Sequence, residues 1–414
     1  MKLGSPVEQT LLNMLDPDNR TWQPGTELTP SDWETIRTMA LQHRLSPLLH
    51  WRLTQRTEHL HIPQSFLSTI AADFRKHTSR SLYLQYEIVR IHRVLRERGI
   101  TAVFLKGAFL AFQVYPHTAL RPLRDLDVLV PRQQAMEAFD ALMKIGFIRT
   151  AYAPGEPTAA LDCLKHLPNL ASPSSPVAIE LHTRLFHPPA DPASRQPEPA
   201  HDPAVWKRLL YREMAGEQIA FLSAADQLLH LIVHAVFDHR LSNGPLVLTD
   251  IAGLVKRTDI HWPTFWSMAA AGGWTRGCAL LLRVADRFCG PLSFPSPTFT
   301  DLPQLPEDLV TTTAILMLAD SDHQSNTRLR ADLLQAQSVA GRTRVLLRRM
   351  FPSRRYLAAT GASPGSGPLE RSSYRAHLWR LVSVRVPQYL ASRRDRRAAS
   401  ASADLARLNR WLEQ

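Results

Sequence analysis

A six-residue stretch, Asp125-Leu126-Asp127-Val128-Leu129-Val130, constrains the fold more than any other part of the chain. Its alternation places Asp125 and Asp127 on one face of a strand and the aliphatic side chains of the even positions on the other. Two neighbouring carboxylates repel each other, and partial burial adds a desolvation cost. A divalent cation would remove both penalties, whereas a strand edge that faces water would also tolerate the pair. The stretch therefore predicts a strand, with a metal site as one of two interpretations of its polar face.

A second strand-like segment, 177–182, supplies a third carboxylate. Its odd-numbered positions are aliphatic, and Glu180 and His182 share the opposite face. If this strand lies beside the first, Glu180 completes a site of the kind that holds two metal ions for phosphoryl or nucleotidyl transfer. Such a site suits Mg²⁺ or Mn²⁺, because both ions prefer oxygen ligands and leave coordination positions open for phosphates.

Residues upstream of the carboxylates suit a phosphate ligand. Lys106-Gly107 follows a short apolar run, Thr101–Leu105, where a strand is expected to meet a helix. Glycine there lets backbone amides approach a phosphate, and a helix N-terminus favours an anion. Arg121 and Arg124 lie just before the aspartates and are placed to neutralise a triphosphate or a pyrophosphate leaving group.

The remaining pattern predicts an α+β fold, with one small mixed sheet in a mostly helical chain. Ser31 and Glu34 predict a capping box at one helix start, and Ser223 is placed to cap a long helix. Proline-rich stretches at 186–203 and 291–306 predict loops. The predicted division is an N-terminal helical region (1–98), a small α/β core (99–215), a helical domain (216–300) and a basic helical C-terminal region (301–414).

These motifs together resemble the uncharacterised bacterial nucleotidyltransferase family of the DNA polymerase β-like superfamily. The resemblance rests on Phe104-Leu-Lys-Gly-Ala108, on Tyr115-Pro116, and on the run from Arg121 to Val130. The family pattern also has a Val-x-Glu-x-His strand, matched by Glu180 and His182. A later helix with spaced histidines and a following aspartate is matched by His230, His234, His239 and Asp250.

The resemblance implies a polymerase β-like core that transfers a nucleoside monophosphate from an NTP to a hydroxyl or phosphate acceptor. Asp125, Asp127 and Glu180 would be the catalytic and metal-binding residues, with Mg²⁺ or Mn²⁺ as cofactor. The chain has Gly107-Ala108 where the superfamily usually has Gly-Ser, so the serine hydroxyl contact is absent. The expected nucleotide-binding residues are Lys106, Gly107, Arg121, Arg124 and His182.

The sequence does not identify the acceptor, and three classes of function stay open. One is a tailoring enzyme for a small molecule, peptide or glycan precursor, and another is a transferase that acts on RNA or protein, as toxin-type relatives do. A third is a catalytically weak nucleotide-binding module, against which the complete carboxylate set argues. A D-x-D glycosyltransferase is a further rival, but its aspartates usually end a strand, whereas this one continues apolar to Val130.

The net charge of +12 is concentrated at the C-terminal end of the chain. From Arg342 onward there are 16 arginines and 4 acidic residues, so the preceding residues sum to zero. Such a segment favours an anionic partner, although solvated helix faces explain it equally well.

Other chemistries find little support. The three cysteines lie far apart, which excludes a disulfide scaffold and a thiolate zinc site. His230 and His234 have the spacing of an H-E-x-x-H zinc site, but no glutamate follows His230, so a packed or hydrogen-bonded pair is the better interpretation. Dinucleotide, P-loop and serine-hydrolase motifs are missing. With no apolar membrane span and no signal-peptide pattern, we expect a cytoplasmic protein.

Overall fold

The computed structural model describes a seven-stranded mixed sheet surrounded by α-helices, and the predicted α+β class is confirmed. The predicted loops at 186–203 and 291–306 fall largely outside the described residues. Those residues are 4–16, 28–55, 62–150, 155–172, 177–187, 203–295, 305–319, 324–336, 338–360, 372–392 and 395–413.

Four helices precede the sheet: α1 (Pro6–Asn13), α2 (Pro30–Gln42), α3 (Ser46–Thr54) and α4 (Gln64–Arg96). Those within the sheet region are α5 (Gly107–Phe109), α6 (Ala135–Lys144), α7 (Pro157–Cys163) and α8 (Pro203–Lys207). The segments Leu110–Val114, His234–Asp238 and Leu381–Arg385 are π-helical turns, and the first of them extends α5. The later helices are α9 (Ala224–Val233), α10 (Leu246–Arg257), α11 (Trp262–Ala271), α12 (Thr275–Phe288), α13 (Glu307–Met317), α14 (Gln324–Gln335), α15 (Val339–Met350), α16 (Arg354–Thr360), α17 (Ser372–Arg380), α18 (Val386–Ser392) and α19 (Arg396–Glu413).

The start of α2 differs from the prediction. Thr29, not Ser31, is the cap: its hydroxyl accepts from the Asp32 amide at 3.2 Å, and the Asp32 carboxylate accepts from the Thr29 amide at 2.9 Å. Pro30 takes the first helical position, where its missing N–H costs nothing. The Ser31 capping box is therefore wrong, whereas Ser223 caps α9 as predicted.

The strands are β1 (Val103–Phe104), β2 (Asp125–Leu129), β3 (Ile148–Arg149), β4 (Leu170–Ala171), β5 (Ala178–His182), β6 (Leu210–Met214) and β7 (Glu217–Phe221). They are ordered β3-β4-β5-β2-β1-β7-β6. The central strand β2 pairs antiparallel with β1 and parallel with β5. The two strands that carry the predicted carboxylates are therefore neighbours.

Burial of one face of these two strands fixes where the carboxylates lie. Leu126 and Val128 of β2 are 0% exposed, as is Ile179 of β5. Because side chains alternate along a strand, this apolar face forces Asp125, Asp127 and Glu180 onto the opposite side of the sheet.

The sheet continues beyond the predicted end of the α/β core. Strand β7 pairs parallel with β1, and the β6–β7 hairpin crosses residue 215. Strand β7, which lies between β1 and the edge strand β6, is thus built from the segment assigned to the following helical domain, and the division into domains stays a prediction.

The C-terminal helix α19 packs against the helical body. Leu405, Ala406 and Leu408 are at most 3% exposed, and Arg407 forms an ion pair with Asp308 at 2.7 Å. By contrast, α15 has no buried residue. The arginine-rich segment therefore combines a packed helix with an exposed one. In the described part of the chain, no helix is long and apolar enough to cross a membrane.

Candidate active site

The polar face of β2 and β5 opens into a cavity of about 510 Å³. The strands contribute Asp125, Asp127 and Glu180, and the β1–α5 junction contributes Lys106 and Gly107. Other elements add more cations and polar groups, namely Gln42, His43 and Arg44 before α3, Arg121 and Arg124 before β2, His234, His239, Ser242 and Asn243 after α9, Asp250 on α10, and Arg328 on α14. Every predicted site residue except His182 lines this cavity.

The closest group of possible metal ligands lies at the centre of the sheet. Asp127 and Glu180 are paired in register on the parallel strands, and His182 is two residues further along β5. One ligand atom from each lies within 4.8 Å of the other two, the one such group among the described residues. Two of the three predicted metal ligands are therefore in this group. Asp125 lies outside it, two residues earlier on the same strand face.

Asp127 is held by two basic side chains. Lys106 Nζ donates to Asp127 Oδ1 at 3.0 Å, and His182 Nε2 lies 2.7 Å from the same oxygen. Burial alone would raise the pKa of Asp127, but the Lys106 ammonium and the His182 hydrogen bond hold that pKa well below its usual range. Asp127 is thus ionised throughout the neutral pH range. His182 is fully buried behind it and contacts the carboxylates instead of the cavity.

Glu180 is oriented by side chains from its own sheet. Asn169 Nδ2 donates to Glu180 Oε1 at 3.0 Å, and His182 Nε2 lies 3.6 Å from Glu180 Oε2. His166 Nε2 is 3.9 Å from the same oxygen. Burial raises the pKa of Glu180, but the neighbouring imidazoles of His182 and His166 together outweigh it and lower the pKa to about 2. No sequence motif identified Asn169, because only the pairing of β4 with β5 brings this residue next to Glu180.

Asp125 experiences the opposite balance. Burial, together with repulsion from Asp127 and Glu180, raises the pKa of Asp125 to about 6. Three partly buried carboxylates thus share one face, and Lys106 is the cation in direct contact with them among the described residues. This excess of negative charge fits a divalent cation, and the carboxylate oxygens suit Mg²⁺ or Mn²⁺, while the imidazole of His182 is engaged with Asp127.

The Lys106-Gly107 junction has an unusual backbone. Lys106 has φ +44°, a conformation that costs a non-glycine residue about 1–3 kcal/mol. A β-carbon on Gly107 would lie 2.5 Å from Leu123 Cδ2, so any larger residue here would have to displace the Leu123 side chain. The predicted tight junction is present, although the Lys106 ammonium contacts Asp127, and its role toward phosphate stays a prediction.

Arg121 forms an ion pair with the buried carboxylate of Asp250. Its Nε lies 2.9 Å from both oxygens of Asp250, and the Tyr115 hydroxyl donates to Asp250 at 2.9 Å. This pairing gives Asp250, whose role the motif left open, a place in the wall of the cavity. Arg124, next along the chain, is exposed at the cavity edge.

The later histidines form a polar cluster beside the carboxylates. His234 Nδ1 lies 3.4 Å from Asp238 Oδ2, which also accepts from Lys165 at 2.6 Å. His230 is fully buried and packs edge-on against Phe186. Among the described residues neither histidine belongs to a group of possible metal ligands, and both ring nitrogens of His230 lack a hydrogen-bond partner there.

Comparison with known proteins places this architecture in a family. Residues 29–290, more than half of the chain, match the model of an uncharacterised nucleotidyltransferase family. The chain belongs to this nucleotidyltransferase family, which confirms the predicted family. No curated protein and no solved structure matches the chain.

Proposed function

We propose that the protein is a metal-dependent nucleotidyltransferase that moves a nucleoside monophosphate from an NTP to a hydroxyl or phosphate acceptor. The observation that carries the proposal is the pairing of Asp127 with Glu180 on neighbouring strands, with Asp125 on the same face and cationic residues across one cavity. Phosphoryl-type transfer depends mainly on positioning and charge neutralisation, and this arrangement supplies both.

The carboxylates have distinct roles in this proposal. Asp125, Asp127 and Glu180 would hold Mg²⁺ or Mn²⁺, which when bound supplies charge neutralisation for the phosphates. His182 fixes the orientation of Asp127, and Asn169 fixes that of Glu180. In the reaction the acceptor oxygen bonds to the α-phosphorus, the α–β phosphoanhydride bond breaks, and pyrophosphate leaves. A site carboxylate accepts the proton of the acceptor hydroxyl.

The cavity also bears on the acceptor. Its volume of about 510 Å³ is in the range of sites for small molecules. Because the nucleotide would occupy much of this cavity, the remaining space suits a small acceptor, or one end of a peptide or glycan precursor, as for a tailoring enzyme.

A second candidate, an RNA or another anionic partner, is favoured by α15. Arg342, Arg344 and Arg348 of this helix are exposed. Binding of such a partner would weaken as salt rises, because exposed charges are screened within about 8 Å at physiological ionic strength. A small neutral acceptor would show no such dependence.

Transfer of label from each α-³²P-NTP, with Mg²⁺ and pools of small-molecule, peptide or RNA acceptors, tests the proposal. The wild-type protein should label an acceptor, and Glu180→Gln should not. Glu213→Gln, an exposed position on β6 of the same sheet, is the matched control and should behave as the wild type. Equal labelling by Glu180→Gln would remove the carboxylate site from the mechanism.

A further inference from the structure

Arg44 occupies a position where a helix normally ends in glycine. Helix α2 closes with hydrogen bonds from Leu45 N to Ala40 O and from Arg44 N to Leu41 O, at 2.8 and 3.1 Å. This pattern places Arg44 at the left-handed residue after the helix, with φ +60°. An arginine there is strained relative to glycine, by about 1–2 kcal/mol. The turn gains no stability from this residue type.

The side chain of Arg44 is also poorly satisfied. Its Nε is buried without a hydrogen-bond partner among the described residues. Its Nη1 reaches the Pro122 carbonyl only at 3.5 Å, the outer limit of a hydrogen bond. A guanidinium carries five donors, and the Pro122 carbonyl is the one acceptor shown for this group among the described residues. The group lines the cavity together with Lys106, Gly107 and Arg124.

Charge is unbalanced at this end of the cavity. Burial, together with repulsion from Arg121 and Arg124, lowers the pKa of Arg44 to about 9. Asp125 and Asp250 offset part of this effect, but Asp250 is already paired with Arg121. Arg124 is held in place through its backbone, since its carbonyl accepts from Arg80 at 3.1 Å.

We propose that Arg44 and Arg124 form a subsite for the polyphosphate of the nucleotide, an inference that rests on the proposed nucleotidyl transfer. A polyphosphate supplies the negative charge that the two guanidinium groups lack. The planar fork of each arginine matches phosphate oxygens with two parallel hydrogen bonds. The subsite lies beside the Lys106-Gly107 junction, whereas the metal would be held by the carboxylates. The backbone strain at Arg44 and its repulsion by the neighbouring arginines both lower stability when no ligand is bound. Binding of polyphosphate gives these two unfavourable features a function.

Inorganic tripolyphosphate is the probe that tests this subsite without a nucleoside or an acceptor. Its dissociation constant is measured by titration calorimetry with Mg²⁺ present, and the unfolding midpoint of each ligand-free protein is measured in parallel. Arg44→Gln removes the charge and keeps the strained backbone. Arg44→Gly removes both the charge and the backbone strain, because glycine adopts a positive φ without a steric penalty. Arg37→Gln, which breaks an exposed ion pair on α2, is the matched control.

Both Arg44 variants should bind tripolyphosphate roughly ten- to a hundredfold more weakly than the wild type, as expected for a lost charge-assisted contact. The ligand-free midpoint of Arg44→Gln should rise by roughly 1–4 °C, because a repelled buried cation has been removed. Arg37→Gln should change neither quantity appreciably.

Two results would overturn the subsite. One is affinity within about twofold of the wild type in either Arg44 variant. The other is a fall in the ligand-free midpoint of both variants, which would give Arg44 a structural role. If the wild-type protein bound neither tripolyphosphate nor any NTP, the proposed function itself would fail, so the two failures are distinguishable.

Discussion

Asp127 and Glu180 face each other in register on parallel strands, and Lys106 Nζ lies 3.0 Å from Asp127 Oδ1. The ammonium neutralises one carboxylate of a site that otherwise carries an excess of negative charge. Each charge in this buried group therefore interacts with the others. Single substitutions should change the free energy of unfolding strongly, and by amounts that depend on bound metal.

Lys106→Ala should lower the free energy of unfolding of the metal-free protein by about 3–5 kcal/mol, because it leaves Asp127 buried without its cation. Alanine keeps a β-carbon, so the backbone strain at this position is unchanged. Added Mg²⁺ should restore a larger share of stability in the variant than in the wild type. Urea unfolding with EDTA or Mg²⁺ measures both effects. Lys76→Ala, at an exposed position of α4, is the control, and equal losses in the two variants would contradict the prediction.

Asp125→Asn should stabilise the metal-free protein at neutral pH. The raised pKa of about 6 means that the folded state binds a proton more tightly than the unfolded state, whose carboxyl has the ordinary pKa of 3.8. Stability therefore falls as pH rises from about 4 to 6 and stays lower above that range. The gain from the variant should approach about 2–3 kcal/mol at pH 7–8 and vanish near pH 4. Denaturant unfolding across pH in EDTA checks this, with exposed Asp140→Asn as control; a variant that keeps the wild-type pH profile would refute it.

Asp250→Ala should be more damaging than Tyr115→Phe, although both remove a contact of one network. Loss of the carboxylate leaves Arg121 buried and unpaired, at about 3–5 kcal/mol. Loss of the tyrosine hydroxyl removes hydrogen bonds without exposing a charge, at about 1–2 kcal/mol. Thermal or chemical unfolding of the two variants ranks them. The reverse order would show that Arg121 finds another partner.

Leu408→Ala, in the last helix, should cost about 2–5 kcal/mol because the side chain is 1% exposed. Arg344→Ala, on the exposed face of α15, should change stability by no more than about 0.5 kcal/mol. Truncation before α19 should therefore reduce stability as well as charge. Similar small effects of both substitutions would show that the basic segment is a solvated appendage.

Local pattern predicted the centre of the site but not its surroundings. Alternation along β2 and β5 placed three carboxylates on one face, since one buried face leaves polar residues no other side. Arg44 carries no such signal, because its place depends on how the α2–α3 turn packs against Pro122, 78 residues later in the segment before β2. Arg121 illustrates a different limit. Its position before β2 suggested a phosphate ligand, whereas Asp250, 129 residues further along the chain, pairs with it.

The bond that is broken in the nucleotide tests the central claim most directly. Each NTP is incubated with the wild-type protein, Mg²⁺ and acceptor pools, and the products are followed by ³¹P NMR against Glu180→Gln and Glu213→Gln. We expect metal-dependent cleavage between the α- and β-phosphorus, with pyrophosphate released by the wild type and Glu213→Gln and none by Glu180→Gln. Cleavage between the β- and γ-phosphorus, or pyrophosphate release that survives in Glu180→Gln, would contradict it.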